Sequence, residues 1–93
     1  MLIIDKPTID KTGRITLTNL FDGNPPKEVG VAYDTESNAI IIEPWEEGSK
    51  LIRRKLDDKA RISIKWLLKF TGDNIYIIID EKGNRKLVVI SPQ

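Results

Sequence analysis

Short runs in which apolar and polar residues alternate recur along the chain, separated by clusters of Gly, Pro, Asn and Asp. Alternation with a period of two marks strands with one buried face, and the clusters mark turns. The clearest alternating runs are "RITLT" (14–18) and "RISIK" (61–65). Longer, more apolar strands are read at "EVGVAYD" (28–34) and "NIYIIID" (74–80). Polar turns follow them at Ser37-Asn38 and Lys82-Gly83-Asn84, and then "AIII" (39–42) and "LVVI" (87–90). Each set reads as a β-hairpin. Upstream of the two alternating runs, residues 6–10 and 52–57 read as further strands that enter a tight turn. "KWLLKF" (65–70) reads as one to two helical turns closed by Gly72. The matching stretch "NLFDGNPP" (19–26) carries the weaker helix signal, because Gly23 and Pro25-Pro26 stop a helix quickly.

These elements occur twice, in the same order. At an offset of 47 residues Asp10 pairs with Asp57, Gly13 with Ala60, Arg14 with Arg61, Ile15 with Ile62 and Leu17 with Ile64. A slip to 46 pairs "AYD" (32–34) with "IID" (78–80), and a slip to 48 pairs "AIIIEP" (39–44) with "LVVISP" (87–92). Three matched segments at nearly constant spacing point to a duplication. The expected organisation is a single domain over 1–93, with repeat one at 6–44, a linker at 45–51 and repeat two at 52–92. One unit of some 45 residues buries little by itself and leaves open strand edges. Two units closing around one core give a mostly β fold, a barrel with short helices.

Composition narrows the function. The 93 residues include no Cys and no His, which removes disulfides, thiolate chemistry and the commonest general base and metal ligand. No phosphate-binding loop, dinucleotide fingerprint or nucleophile elbow is present. Paired carboxylates at Asp57-Asp58 and Asp80-Glu81 lack supporting ligand spacing. Neither a catalytic residue, a metal site nor a cofactor is therefore expected, and the reading is not an enzyme. "MLIIDKP" meets charge and Pro almost at once, unlike a signal peptide, and the apolar runs are too short to cross a bilayer. A cytoplasmic protein is expected. The net charge of +1 hides an imbalance: residues 1–47 carry −5 and residues 48–93 carry +6. Such a split points to an anionic partner for the second half, or to mutual attraction of the halves within one domain.

The pattern of strand, Asp-x-x-Gly-Arg turn, alternating strand, short helix and hairpin resembles the AbrB/MazE/SpoVT family of swapped-hairpin β-barrel DNA-binding domains. "IDKTGRITL" (9–17) and "LDDKARISI" (56–64) carry the resemblance, with the hairpins that follow them. Two copies in one chain resemble the MraZ branch. The resemblance implies two tandem ββαββ repeats that build within one chain the barrel that family members usually build from two. It also implies transcriptional regulation by binding double-stranded DNA. Departures exist: Thr18 and Lys65 stand where the family often has Pro, and Ala60 replaces the turn Gly. Since Ala disfavours positive φ, the second turn is expected to differ locally from the first.

Asp10–Arg14 and Asp57–Arg61 flank tight turns, where they can brace the turn as ion pairs or aim the guanidinium outward. Family members use this Arg on DNA, and the two roles are compatible. The second repeat is the richer in cations, with Lys50, Arg53, Arg54, Lys55, Lys59, Arg61, Lys65 and Lys69. Consecutive Arg53, Arg54 and Lys55 point to both faces of a strand, so one face is wet or meets a polyanion. By resemblance, Arg54, Lys55 and Lys69 fall at DNA-contact positions, where repeat one has Pro7, Thr8 and Asp22. The expected DNA-binding set is Arg53, Arg54, Lys55, Lys59, Arg61, Lys65 and Lys69, with Lys11 and Arg14 added from repeat one. A homodimer of chains would place two basic halves along a duplex. The alternative is a protein-interaction module, an antitoxin or adaptor, working through the acidic first repeat. Trp66 is expected to pack in the core with Leu67 and Phe70, and Trp45 to plug a barrel end or join a subunit contact.

Overall fold

Alternation translates directly into burial. Val29 and Val31, Ile75 and Ile77, Ile15 and Leu17, and Ile62 and Ile64 are all at most 2% exposed, and each pair is spaced by two residues. The structure, a computed structural model, describes residues 2–90. The described residues are mostly β, with one short helix. Its elements are β1 (Leu2–Asp5), β2 (Arg14–Thr16), β3 (Glu28–Asp34), β4 (Ala39–Pro44), β5 (Ile52–Lys55), β6 (Arg61–Ser63), α1 (Lys65–Thr71), β7 (Ile75–Ile79) and β8 (Arg85–Val89). Ser91 and Pro92, the end of the expected second repeat, lie outside the described residues.

Six strands form an open sheet in the order β1-β7-β8-β4-β3-β5, and β2 pairs with β6 in a separate ribbon. All the pairings are antiparallel. Exchanging β1–β4 with β5–β8 leaves this set of pairings unchanged. The first strand of each half pairs with the third strand of the other: β1 with β7, and β5 with β3. Residues from the sheet (Val29, Val31, Ile40, Ile75, Ile77, Leu87) and from the ribbon and its exits (Ile15, Leu17, Ile62, Ile64) join one buried cluster.

Several expectations need correction. The first strand lies at Leu2–Asp5 rather than 6–10, and Ile9 makes only an isolated bridge to Ile15. Pro7, which has no N–H to give a ladder, stands in the expected span, whereas Leu2 and Ile3 pair with Ile79 and Ile78. Only one of the two expected helices forms. Residues 17–24 fold instead into successive turns, with Asp22 (φ 52°) and Gly23 (φ 87°) in the left-handed region. In α1 the inward stripe runs through Ile64, Leu67, Leu68 and Thr71, and at about 100° per residue Phe70 points away from it. Phe70 is 64% exposed, not a core residue, and Lys69 Nζ lies 5.0 Å from its ring. Trp66 does pack against the core, with its buried Nε1 lacking a hydrogen-bond partner among the described residues. Trp45 lies beneath the Arg53 guanidinium, 5.4 Å from ring centre to Cζ.

Candidate nucleic-acid interface

Asp10 and Asp57 each start a turn that they also cap. Asp10 Oδ1 accepts the backbone N–H of Thr12 (2.9 Å) and of Arg14 (3.0 Å). Asp57 Oδ1 accepts those of Lys59 (2.9 Å) and Arg61 (2.9 Å). Around each turn the Asp N–H donates to the Arg carbonyl at 3.0 Å. The N–H of Gly13 or Ala60 donates back to the Asp carbonyl at 3.1 or 3.0 Å. The second turn therefore does not differ as expected: Ala60 takes the left-handed φ of 59° and keeps every one of these bonds. A third copy was not visible in the sequence comparison. Asp80 accepts from the N–H of Lys82 and of Asn84 at 2.9 Å each, and Gly83 donates to Asp80 O. Asp-x-x-x-x is thus a turn device first. What sets the first two copies apart is Arg where the third has Asn84.

Those arginines join the two turns. Arg14 Nε meets Asp10 Oδ2 at 2.9 Å, and Arg61 Nε meets Asp57 Oδ2 at 2.8 Å. Each guanidinium also approaches the other turn's carboxylate: Arg14–Asp57 at 3.7 Å and Arg61–Asp10 at 3.6 Å. The four side chains are only 21–38% exposed. For Asp10 the Arg14 backbone N–H is the largest influence. With the Thr12 and Arg14 side chains it outweighs partial burial, holding the carboxyl well below the usual carboxylate range. At Asp57 burial opposes ionisation most strongly, and the backbone and guanidinium of Arg61 overcome it, so its pKa is lowered too. Both carboxylates stay ionised near neutrality, each matched by a guanidinium. Backbone bonds tighten the joint further, from Leu17 N–H to Ala60 O (2.9 Å) and from Ile64 N–H to Gly13 O (2.8 Å).

The remaining cations fall into two groups. Arg53 is engaged, with Glu28 at 2.7 Å on one side and Trp45 on the other. Lys11, Lys50, Arg54, Lys55, Lys59, Lys65 and Lys69 form no ion pair among the described residues; Arg54 Nη1 donates only to Arg53 O. Lys11 and Lys59 ride on the two joined turns. Lys65 abuts the first, so closely that a Cβ on Gly13 would lie 2.8 Å from Lys65 Cβ. Lys69 follows one helical turn later. Lys55 lies beside the second turn, lining a shallow concavity with Asp57 and Ala60.

That concavity holds a residue the sequence reading did not select, Lys27. It belongs to the acidic half, but the β3–β5 pairing sets Glu28 opposite Lys55, and Leu56 N–H donates to Lys27 O at 3.0 Å. No local pattern announces this neighbour, because it arises from strand pairing across 27 residues of sequence. Cations from both halves, Lys27 and Lys55, thus meet beside the second turn. Among the described residues no group of His, Cys, Asp or Glu is placed to hold a metal ion, and no helix is long and apolar enough to cross a membrane. Comparison with protein-family models, with curated proteins and with solved structures finds no match in any of the three.

Proposed function

We propose that this chain is a DNA-binding transcriptional regulator, a single-chain swapped-hairpin barrel of the AbrB/MazE/SpoVT kind. The observation that carries the binding reading is a set of lysines that form no ion pair among the described residues and lie on or beside the joined turns: Lys27 and Lys55 at one side, Lys59 and Lys11 on the turns, Lys65 at the other. Support for the barrel comes from pairings that survive exchange of the halves, and from a β2–β6 ribbon that shares one core with the open sheet. Tandem duplication accounts for both.

In this reading the lysines neutralise phosphates and release counterions, which supplies affinity with little sequence choice. Arg14 and Arg61 serve mainly as braces. Already matched to Asp10 and Asp57, they hold the two turns together and so fix the spacing of Lys11 and Lys59. Duplex DNA then lies against the shared end, with Arg54 along β5 and Lys69 on α1 at its margins. A second chain would bring a second basic end onto one duplex.

The test is a mobility-shift titration of duplex DNA with the wild type and with Arg54→Ala/Lys55→Ala. Weaker binding by the double variant supports the reading, and equal binding moves the site elsewhere. Sedimentation with and without DNA checks the second chain, since tight binding by a monomer counts against it.

A further inference from the structure

β4 pairs with β3 along its whole length but with β8 at only two positions, Ala39–Val88 and Ile40–Leu87. Continued antiparallel register would set Ile41 against Lys86 and Ile42 against Arg85, yet the strands part there. The groove left between them, about 450 Å³, runs along β4 to Pro44 with Leu20, Ile42 and Leu87 in its walls. On the other side of the same contact the ladder is sealed. Val89 N–H donates to Asn38 O at 3.0 Å, and Asn38 Nδ2 donates to Val89 O at 3.0 Å. Lys86 stands 48 residues after Asn38, at the matching position. Its ammonium turns away instead, to Asp80 Oδ2 at 3.2 Å, and the neighbouring Arg85 guanidinium goes to Asn19 O at 2.6 Å and Asp22 Oδ1 at 3.0 Å. A side-chain amide in one half and an ammonium in the other thus separate a closed ladder from an open one.

Antiparallel geometry turns alternate residues of Ile41–Pro44 away from β3, toward the groove, and unpaired strand backbone is a template for an added strand. Four residues of strand span about 13 Å, room for three or four residues of an extended peptide. Charge narrows the occupant. Both cations on the β8 wall are neutralised, Arg85 by Asp22 and Lys86 by Asp80 at 3.2 Å. Asp34 and Glu43, on the β4 side, form no ion pair among the described residues. The hydroxyl of Ser37 and the N–H of Glu36 donate to the Asp34 carboxylate and favour its charged form. We propose that the β4–β8 groove docks an extended segment of a partner protein in which apolar residues alternate with Lys or Arg, paired to β4 as an added strand.

This docking site is separate from the joined turns and does not depend on their binding DNA. The experiment titrates ¹⁵N-labelled full chain with a blocked hexapeptide of alternating Lys and Val. Controls are an alternating Glu and Val peptide and a Lys–Val peptide with Pro at its centre. Expected with the basic peptide are saturable shifts at the amides of Ile41, Ile42, Glu43 and Lys86, with slowed exchange at Ile42, whose N–H turns away from β3, and little response to either control. Glu43→Lys, an exposed position, should weaken the basic peptide at least fivefold. Absent shifts, shifts confined to β1 or β5, or equal response to the acidic peptide would overturn the proposal. So would concentration-dependent shifts at the same amides without peptide, which would make a second copy of the chain the occupant.

Discussion

Gly13 and Ala60 occupy matching corners of the two joined turns, and exchanging their side chains tests that equivalence with opposite signs. Both lie in the left-handed region, at φ 80° and 59°. A side chain there costs about 1–2 kcal/mol. In Gly13→Ala the new Cβ would also lie 2.8 Å from Lys65 Cβ and 3.1 Å from Lys65 Cα. Backbone close to that point cannot swing aside as a side-chain tip would, and such crowding costs about 1–3 kcal/mol. Destabilisation of about 2–5 kcal/mol follows from the two effects together. In Ala60→Gly the left-handed penalty is relieved, offset by about 0.4–1 kcal/mol from the freer unfolded chain. A net gain of about 0.5–1 kcal/mol is expected. Urea unfolding followed by circular dichroism measures both, and in a domain of this size 1 kcal/mol moves Tm by about 4–8 °C. Gly13→Ala within 0.5 kcal/mol of wild type, or Ala60→Gly as destabilising as Gly13→Ala, would refute the turn geometry (threshold set by the usual ~0.5 kcal/mol scatter of neutral surface changes).

Acid titration reads the joined turns differently. Asp10 and Asp57 have folded pKa values below the ordinary 3.8, so their contribution to stability is present above about pH 4 and is lost as pH falls below it. Asp10→Asn should flatten the pH dependence of the urea midpoint below pH 4, and an unchanged profile would remove Asp10 from the account. Ile64→Ala, at a site with 0% exposure on the exit of the ribbon, should cost about 2–5 kcal/mol in urea unfolding. Arg53→Ala should cost less than about 1 kcal/mol, since the Arg53–Glu28 pair is largely solvated, and should lower DNA affinity less than Lys55→Ala because Glu28 already neutralises it.

Much of the fold was legible because burial follows a period of two. β3, β4, β7 and β8 lie within a residue or two of their expected spans, and the turns fall where Gly, Asn and Asp cluster. Matching the halves by sequence offset misled where the halves diverge. Residues 6–10 stand before the first turn as 52–57 stand before the second, but Pro7 cannot continue a ladder and "LIID" can. Intrinsic preference sets Ala60 against positive φ, whereas four turn bonds and the joint with the first turn hold it in that conformation. The paired carboxylate and guanidinium of each turn were legible. Their meeting across the joint was not, because that depends on β2–β6 pairing. Lys27 was hidden for the same reason, its neighbours being set by β3–β5. Charge counted along the chain assigned it to the acidic half, while the fold delivers it to the basic end.

Duplex binding through that end is tested most directly by the salt dependence of affinity. Fluorescence anisotropy with a short duplex at several salt concentrations gives the slope of log K against log salt, about −0.9 for each phosphate neutralised. Lys11, Lys27, Lys55, Lys59 and Lys65 acting together predict a slope of about −4 to −5, reduced by about 2 in Lys27→Ala/Lys55→Ala. No binding at low salt, a slope near zero, or an unchanged slope in the double variant would contradict it.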